Sequence, residues 1–432
     1  MNQPAPELAS QKSALEQPAT GLRQISPQQW KSGLAAWLGW FFDGMELHIF
    51  TLVALPVVAQ LMALPLASPD VKEKSSWIQG AFLAGWALGG AFFGRVGDRL
   101  GRSRALCLTI LTYALFTGLC FFAQTWWQLL IFRFISALGI GGEWAIGASL
   151  LSETWPKKWR PWIAAVLQTG VNLGILIVCA FSFTFPGSIA AHPERIFLIG
   201  VVPALIVFWI RRNVPEPEEW HAAQNQSAIK PGPADLFRGE ILSTTVLTTI
   251  VCALTLTGWW AFMFWHPQHL RGLPELASWS PEQRQKEVTI VFFWVVGVSI
   301  PGNYFAAWLA KRFGYRRTIL ALCLAFVAAF CCAYAVPRPY ESLKPWLYVI
   351  GFCSGVFGLF TMYMPPLFPT LLRTTGAGFC YNIGRLFAAI GTVVFGLYLK
   401  VGDFQTALLA FGGLFMLAAV FAMFLPELGK EE

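Results

Sequence analysis

The apolar positions of this chain gather into long runs, neither confined to one helical face nor alternating as in a half-buried strand. A helix needs about 20 apolar residues to cross a hydrocarbon core. Runs that meet this requirement lie near 33–62, 76–96, 105–124, 127–151, 162–185 and 195–211. A second set lies near 242–265, 288–310, 318–336, 345–367, 375–399 and 404–425. Between the sets, residues 212–240 form a polar stretch with Arg212, Pro215, Glu216, Pro217, Glu218, Glu219 and the turn Pro231-Gly232-Pro233. The pattern predicts an all-α integral membrane protein of twelve helices: a tail (1–31), a six-helix lobe (32–211), a linker (212–240), a second six-helix lobe (241–425) and a short tail (426–432).

Composition agrees with that reading. Of 432 residues, 56% are hydrophobic and 12% charged, about half the charged share of soluble domains. The 20 Trp and 37 Phe suit membrane interfaces and cavity walls. A net charge of +8 could suggest nucleic acid, but the basic residues are dispersed through short turns. Of the nine cysteines, most fall within apolar runs, with no CxxC pair and no zinc-type His spacing. Neither HExxH nor GxSxG occurs, so no enzymatic site, metal or cofactor is expected.

Two basic turns occupy matching places in the two sets. Residues 94–104 read GRVGDRLGRSR, and 307–317 read AWLAKRFGYRR, with Gly314 where Gly101 stands in the first. A repeated helix–basic turn–helix unit implies two related membrane halves. Lys and Arg concentrate on one side of the predicted membrane: 20 of the 31 lie on the side of the two termini, 9 opposite, and Arg133 and Arg385 fall within spans. Positive residues favour the cytosolic side, so both termini are expected in the cytosol of a cell with this protein in its inner membrane.

With these features the chain resembles the major facilitator superfamily of secondary transporters, whose loop after the second helix reads G-x-x-x-D-R-x-G-R-x-R. The second loop departs from it, with Lys311 in place of Asp98 and Tyr315 in place of Arg102. RFISALGIGGEW (133–144) and LFPTLLRTTGAGFCYNIGRL (367–386) are similar to the fourth helix and the tenth-to-eleventh helix junction of the metabolite:proton and sialate:proton symporters. The fifth span, VLQTGVNLGILIVCA, has no proline, whereas drug exporters of the superfamily carry a Gly-Pro-rich stretch there. The resemblance implies a two-lobed carrier with pseudo-two-fold symmetry. It also implies that Asp98, with Arg99 beside it, anchors a cytosolic lock against the start of the eleventh helix.

Ionisable residues within spans mark the candidate site. The run WFFDGMELHIF holds Asp43, Glu46 and His48 in the first span. Asp43 lies roughly 15 Å into the span at about 1.5 Å per residue, and Glu46, three residues on, shares its face. Isolated charges at that depth cost at least ~2.5–3.5 kcal/mol, so they face a watery cavity or a partner. Asp43 is the first candidate for proton coupling and Glu46 the second; the alternative for either is a static pair with an arginine. Glu143 and Arg385, at similar depths, are candidates for a gating bridge or for an equivalent static pair. Arg133 either pairs with Asp43 or Glu46 or holds an anion. Gln168 and Asn172, four apart, and Asn382 beside Arg385 are candidate cavity residues, or else interhelical hydrogen-bonding groups. Trp265 and His266, which end the run Trp259, Trp260, Phe262, Phe264, are further candidate cavity residues; the run is long enough to reach around a helix, so some of its rings must face lipid.

The expected function is proton-coupled symport of a small organic anion, such as a monocarboxylate, an aromatic acid or sialic acid, by alternating access. Sugar or polyol symport is the near alternative, and a non-transporting solute sensor the distant one. The expected partners are the anionic solute, protons and the bilayer, with the protein acting as a monomer and without nucleic acid.

Overall fold

The computed structural model describes residues 25–155, 160–214, 233–368, 373–399 and 403–427. The first half comprises α1 (Pro27–Met62), α2 (Pro69–Leu100), α3 (Arg102–Cys120), α4 (Trp126–Thr154), α5 (Arg160–Thr184), the short α6 (Pro186–Ala191), a 3-10 helix (Pro193–Val201) and α7 (Ala204–Asn213). The second half comprises a 3-10 turn (Pro233–Phe237), α8 (Gly239–Arg271), the short α9 (Pro274–Ala277), α10 (Pro281–Phe313), α11 (Tyr315–Tyr334), α12 (Tyr340–Cys353), α13 (Gly355–Tyr363), α14 (Arg373–Tyr398) and α15 (Phe404–Ala422). Residues 215–232 of the expected linker lie outside the described residues.

Among the described residues, nine helices are long and apolar enough to cross a membrane. Phe92, Leu115, Leu205, Trp308, Ile390 and Phe424 are exposed on the perimeter; an apolar surface of that kind requires lipid around it. Within the first half α2 packs on α4, α1 on α5 and α3 on α4; within the second, α8 packs on α14 and α15, α11 on α15 and α10 on α12. Across the halves α2 meets α14, and α5 meets α10.

Three expectations change. The first span begins earlier, at Pro27, because Ser26 and Gln29 form a reciprocal capping box. The same S-P-x-Q start caps α10, through Ser280 and Gln283. The sixth span is no single α-helix. Pro203 has no N–H for the carbonyl of Ile199, which accepts from Val202 instead (3.1 Å), so a 3-10 segment precedes α7. The tenth span breaks at Ser354, which keeps a right-handed backbone (φ −62°, ψ −9°), and ends in a 3-10 turn.

The two basic turns have one geometry. Gly101 (φ 100°, ψ 160°) and Gly314 (φ 88°, ψ 159°) each precede the next helix with a positive φ that side chains disfavour. The acid missing from the second turn comes from beyond α15: Glu427 lies 3.0 Å from Arg316 and packs against Gly314.

Candidate functional site

Helix α1 divides its two acids between two places on α4. Glu46 Oε1 meets Arg133 Nη1 at 2.5 Å, and Arg133 Nη2 donates to the Glu46 carbonyl at 3.3 Å. Ser136 donates to the same Oε1 at 2.9 Å, as does the Thr117 hydroxyl. The guanidinium also lies 4.1 Å from the centre of the Phe82 ring. Both charges are buried, and every partner comes from the first half. Of the two jobs expected of Arg133, pairing is the one observed here, and Glu46 is the acid it takes.

Asp43, one turn back, faces Glu143 instead. Gly39 makes room for that acid, since a Cβ at position 39 would lie 1.8 Å from Glu143 Oε1. The Glu143 carboxyl is within interacting reach of both Asp43 and Tyr113. Yet Asp43 Oδ1, both Glu143 oxygens and the Tyr113 hydroxyl make no well-formed hydrogen bond among the described residues. Three oxygen-bearing side chains are thus gathered in a buried place with unused hydrogen-bonding capacity.

Arg385, on α14 in the second half, does not bridge Glu143. No ion pair joins the two, and the carboxyl whose charge reaches Arg385 is that of Asp43. In this conformation Asp43 is the acid whose charge reaches both Glu143 and Arg385. Arg385 Nη1 donates to Asn382 Oδ1 at 2.7 Å, and Asn382 Nδ2 lies against Gly90 of α2. Its guanidinium carbon lies 3.8 Å from the centre of the Trp86 ring and 4.6 Å from that of Tyr381.

From Trp86 a row of rings crosses the seam between halves. Trp86 meets Trp260 edge-on (5.3 Å), Trp260 stacks with His48 (5.8 Å), and His48 meets Phe292 (5.2 Å). Phe292 stacks in parallel with His266 (5.4 Å), whose Nδ1–H donates to the Phe262 carbonyl (2.8 Å). His48 Nδ1 and His266 Nε2 have no partner among the described residues.

Several expected cavity residues sit elsewhere. Trp265 stacks on Phe395 at 5.0 Å, inside the second half, rather than in this row. Most rings of α8 do not face lipid: Trp260, Phe262, Phe264 and Trp265 are buried, because α8 is covered by α14, α15, α10 and α1, while Trp259 is half-buried against Phe326 and Phe357. Asn172 is buried with an unpartnered Nδ2, and Gln168 is half-buried. The side chains of Asp98 and Arg99 lie outside the described residues. Sequence reasoning missed Trp86 and Tyr113. Trp86 is one aromatic among many in an apolar span, and nothing local marks it as the ring under Arg385.

Two helical halves that meet along a polar and aromatic seam, wrapped in an apolar perimeter, define a multi-span membrane carrier. The model of the Major Facilitator Superfamily matches residues 32–372, and the chain belongs to that family. It is 30% identical over 421 residues to a probable 4-methylmuconolactone transporter of Cupriavidus pinatubonensis, covering 93% of this chain and 91% of that protein. It is 27% identical over 372 residues to the sialic acid transporter NanX of Escherichia coli, covering 84% and 85%. Among solved structures, the partially occluded inward-open xylose transporter XylE of E. coli shares the fold, with a TM-score of 0.73 and 15% identity over 93% of this chain and 99% of that one.

Proposed function

We propose that this transporter is a proton-coupled symporter of small carboxylates, with a preference for planar, conjugated acids. The observation that carries this reading is Arg385 lying over Trp86 at the seam, where a carboxylate can meet the guanidinium while its body lies along the Trp86–Trp260–His48 row. An arginine offers two parallel donors to a carboxylate, and ring faces accept flat apolar groups. The relatives named for 4-methylmuconolactone and sialic acid support an organic anion as the solute class.

The proton is assigned to the Asp43–Glu143 pair. Neighbouring carboxyls share one proton more readily than they carry two charges, and Asp43 connects that pair electrostatically to Arg385. In this scheme substrate bound at Arg385 and a proton bound at Asp43 together neutralise the seam, which then rocks between sides. Glu46, held by Arg133, belongs to the static frame of the first half. The basic turns and both termini lie in the cytosol of a monomer in the inner membrane.

Uptake of labelled benzoate, nicotinate, cis,cis-muconate, N-acetylneuraminate, lactate and xylose into proteoliposomes tests the assignment. The expected order puts the conjugated acids first, with uptake driven by an inward proton gradient. Equal uptake of xylose, or loss of all carboxylate uptake with sugar uptake retained, overturns it.

A further inference from the structure

At the end of the molecule opposite the basic turns, the two halves are fastened by a compact polar cluster. Pro56 sits inside α1 and has no N–H, so the carbonyl of Leu52, four residues earlier, has no helical donor. That carbonyl accepts from Arg271 Nη2, the last residue of α8, at 2.5 Å, and from Gln285 Nε2 of α10 at 3.5 Å. Gln268 donates to the neighbouring Thr51 carbonyl at 3.0 Å. Arg271 is held in turn by the side-chain oxygens of Gln268 (2.7 Å) and Gln285 (2.9 Å), and Gln285 reaches Ser182 of α5 at 3.2 Å.

Three features raise this cluster above ordinary packing. Arg271, Gln268 and Gln285 are all buried, and no carboxylate takes part. Hydrogen bonds between described residues that join the first half to the second all belong to it. A cavity of about 300 Å³, lined by Pro56, Gln60, Arg271, Arg284 and Gln285, lies beside it. The bonds are reversible because the acceptor is a carbonyl that α1 cannot use itself, and the donors are neutral amides and one guanidinium that water can solvate when the halves part.

We infer that Pro56, Arg271 and Gln285 are gating residues of the transport cycle: the carbonyl that Pro56 frees is the catch, and Arg271 and Gln285 are the latch that closes the path on this side. The inference needs only the carrier's family membership and not the assignment of proton or solute. By the charge bias, this side faces away from the cytosol.

Pro56→Ala tests the idea without removing any latch side chain, because it returns an N–H that recaptures Leu52 within α1. Spin labels at Ala67→Cys and Ser278→Cys, on exposed segments of the two halves, report the opening by double electron–electron resonance. Exposed Cys331 and its neighbour Cys332 are first replaced by Ser. Loss of a charge-assisted hydrogen bond is expected to raise the long-distance population about tenfold in Pro56→Ala and in Arg271→Gln. The double variant should go no further than the larger single effect, since both act on one contact. An unchanged distribution in either monodisperse single variant, or simple additivity, overturns the inference. If Arg271→Gln does not purify as a folded protein, Gln285→Ala is read in the same way.

Discussion

Glu46 and Arg133 meet at 2.5 Å in full burial, and together with Thr117 and Ser136 they tie α1, α3 and α4 into one unit. An acid so fully engaged is a strong fastener. Removing one partner strands the other charge, at a cost of about 3–5 kcal/mol. Glu46→Gln and Arg133→Ala should therefore lower thermal stability in detergent markedly, whatever their effect on transport. Scanning fluorimetry of purified protein checks this, and unchanged melting in both variants would show that the pair holds nothing together.

Gly39 is the space that Glu143 occupies beside Asp43. In Gly39→Ala the carboxyl must move, and overpacking of this kind costs about 1–3 kcal/mol. The expected phenotype is impaired gradient-driven uptake with a smaller loss in solute binding, because the acid pair is displaced while the Arg385 row is not. Isothermal titration and uptake measured on one preparation separate the two.

Trp86 carries the stacking side of the proposed site, at 3.8 Å from Arg385. Trp86→Leu removes the ring face on which the solute is proposed to lie, a contact worth about 0.5–1.5 kcal/mol and equivalent to about a 2- to 13-fold rise in KM. The rise should be larger for benzoate than for lactate. A uniform change across both solutes would assign Trp86 to packing alone.

Asp403 caps α15 outside the membrane span, where its carboxylate accepts from the Thr406 N–H at 2.8 Å and the Thr406 hydroxyl at 2.9 Å. The Thr406 backbone bond holds its carboxyl below the ordinary carboxylate range. Because the folded value is the lower one, its stabilisation is present above the unfolded value and disappears as pH falls through the folded value. Asp403→Ala should cost about 0.5–2 kcal/mol near neutral pH, and the deficit against the parent should shrink in acid. Melting curves across that range check the sign.

Much of the architecture was readable in the chain because lipid imposes one rule: a span must be long, apolar and helical. The repeat was equally plain, since a basic turn follows an apolar run at matching places with Gly314 where Gly101 stands, and both glycines hold a positive φ in the structure. The breaks in spans six and ten were not read, because they depend on a single proline's missing donor at Pro203 and on one residue, Ser354. In the site, Asp43, Glu46, Arg133, Glu143 and Arg385 stood out because charge in an apolar run is costly. Their partners did not. Depth along a helix suggested Glu143 with Arg385, whereas the rotation of α1 and α4 sets Glu143 beside Asp43 and Arg133 on Glu46. Trp86 and Tyr113 had no mark in the sequence, since their roles come only from what tertiary packing places against them.

Asp43 is the group through which proton and anion are proposed to communicate, so Asp43→Asn is the most direct test. The decisive measurement compares net uptake driven by a proton gradient with solute counterflow at equal pH, in proteoliposomes of parent and variant. Gradient-driven accumulation should vanish in Asp43→Asn while counterflow persists. Accumulation that survives the substitution, or parent uptake that ignores the gradient, would contradict proton coupling through Asp43.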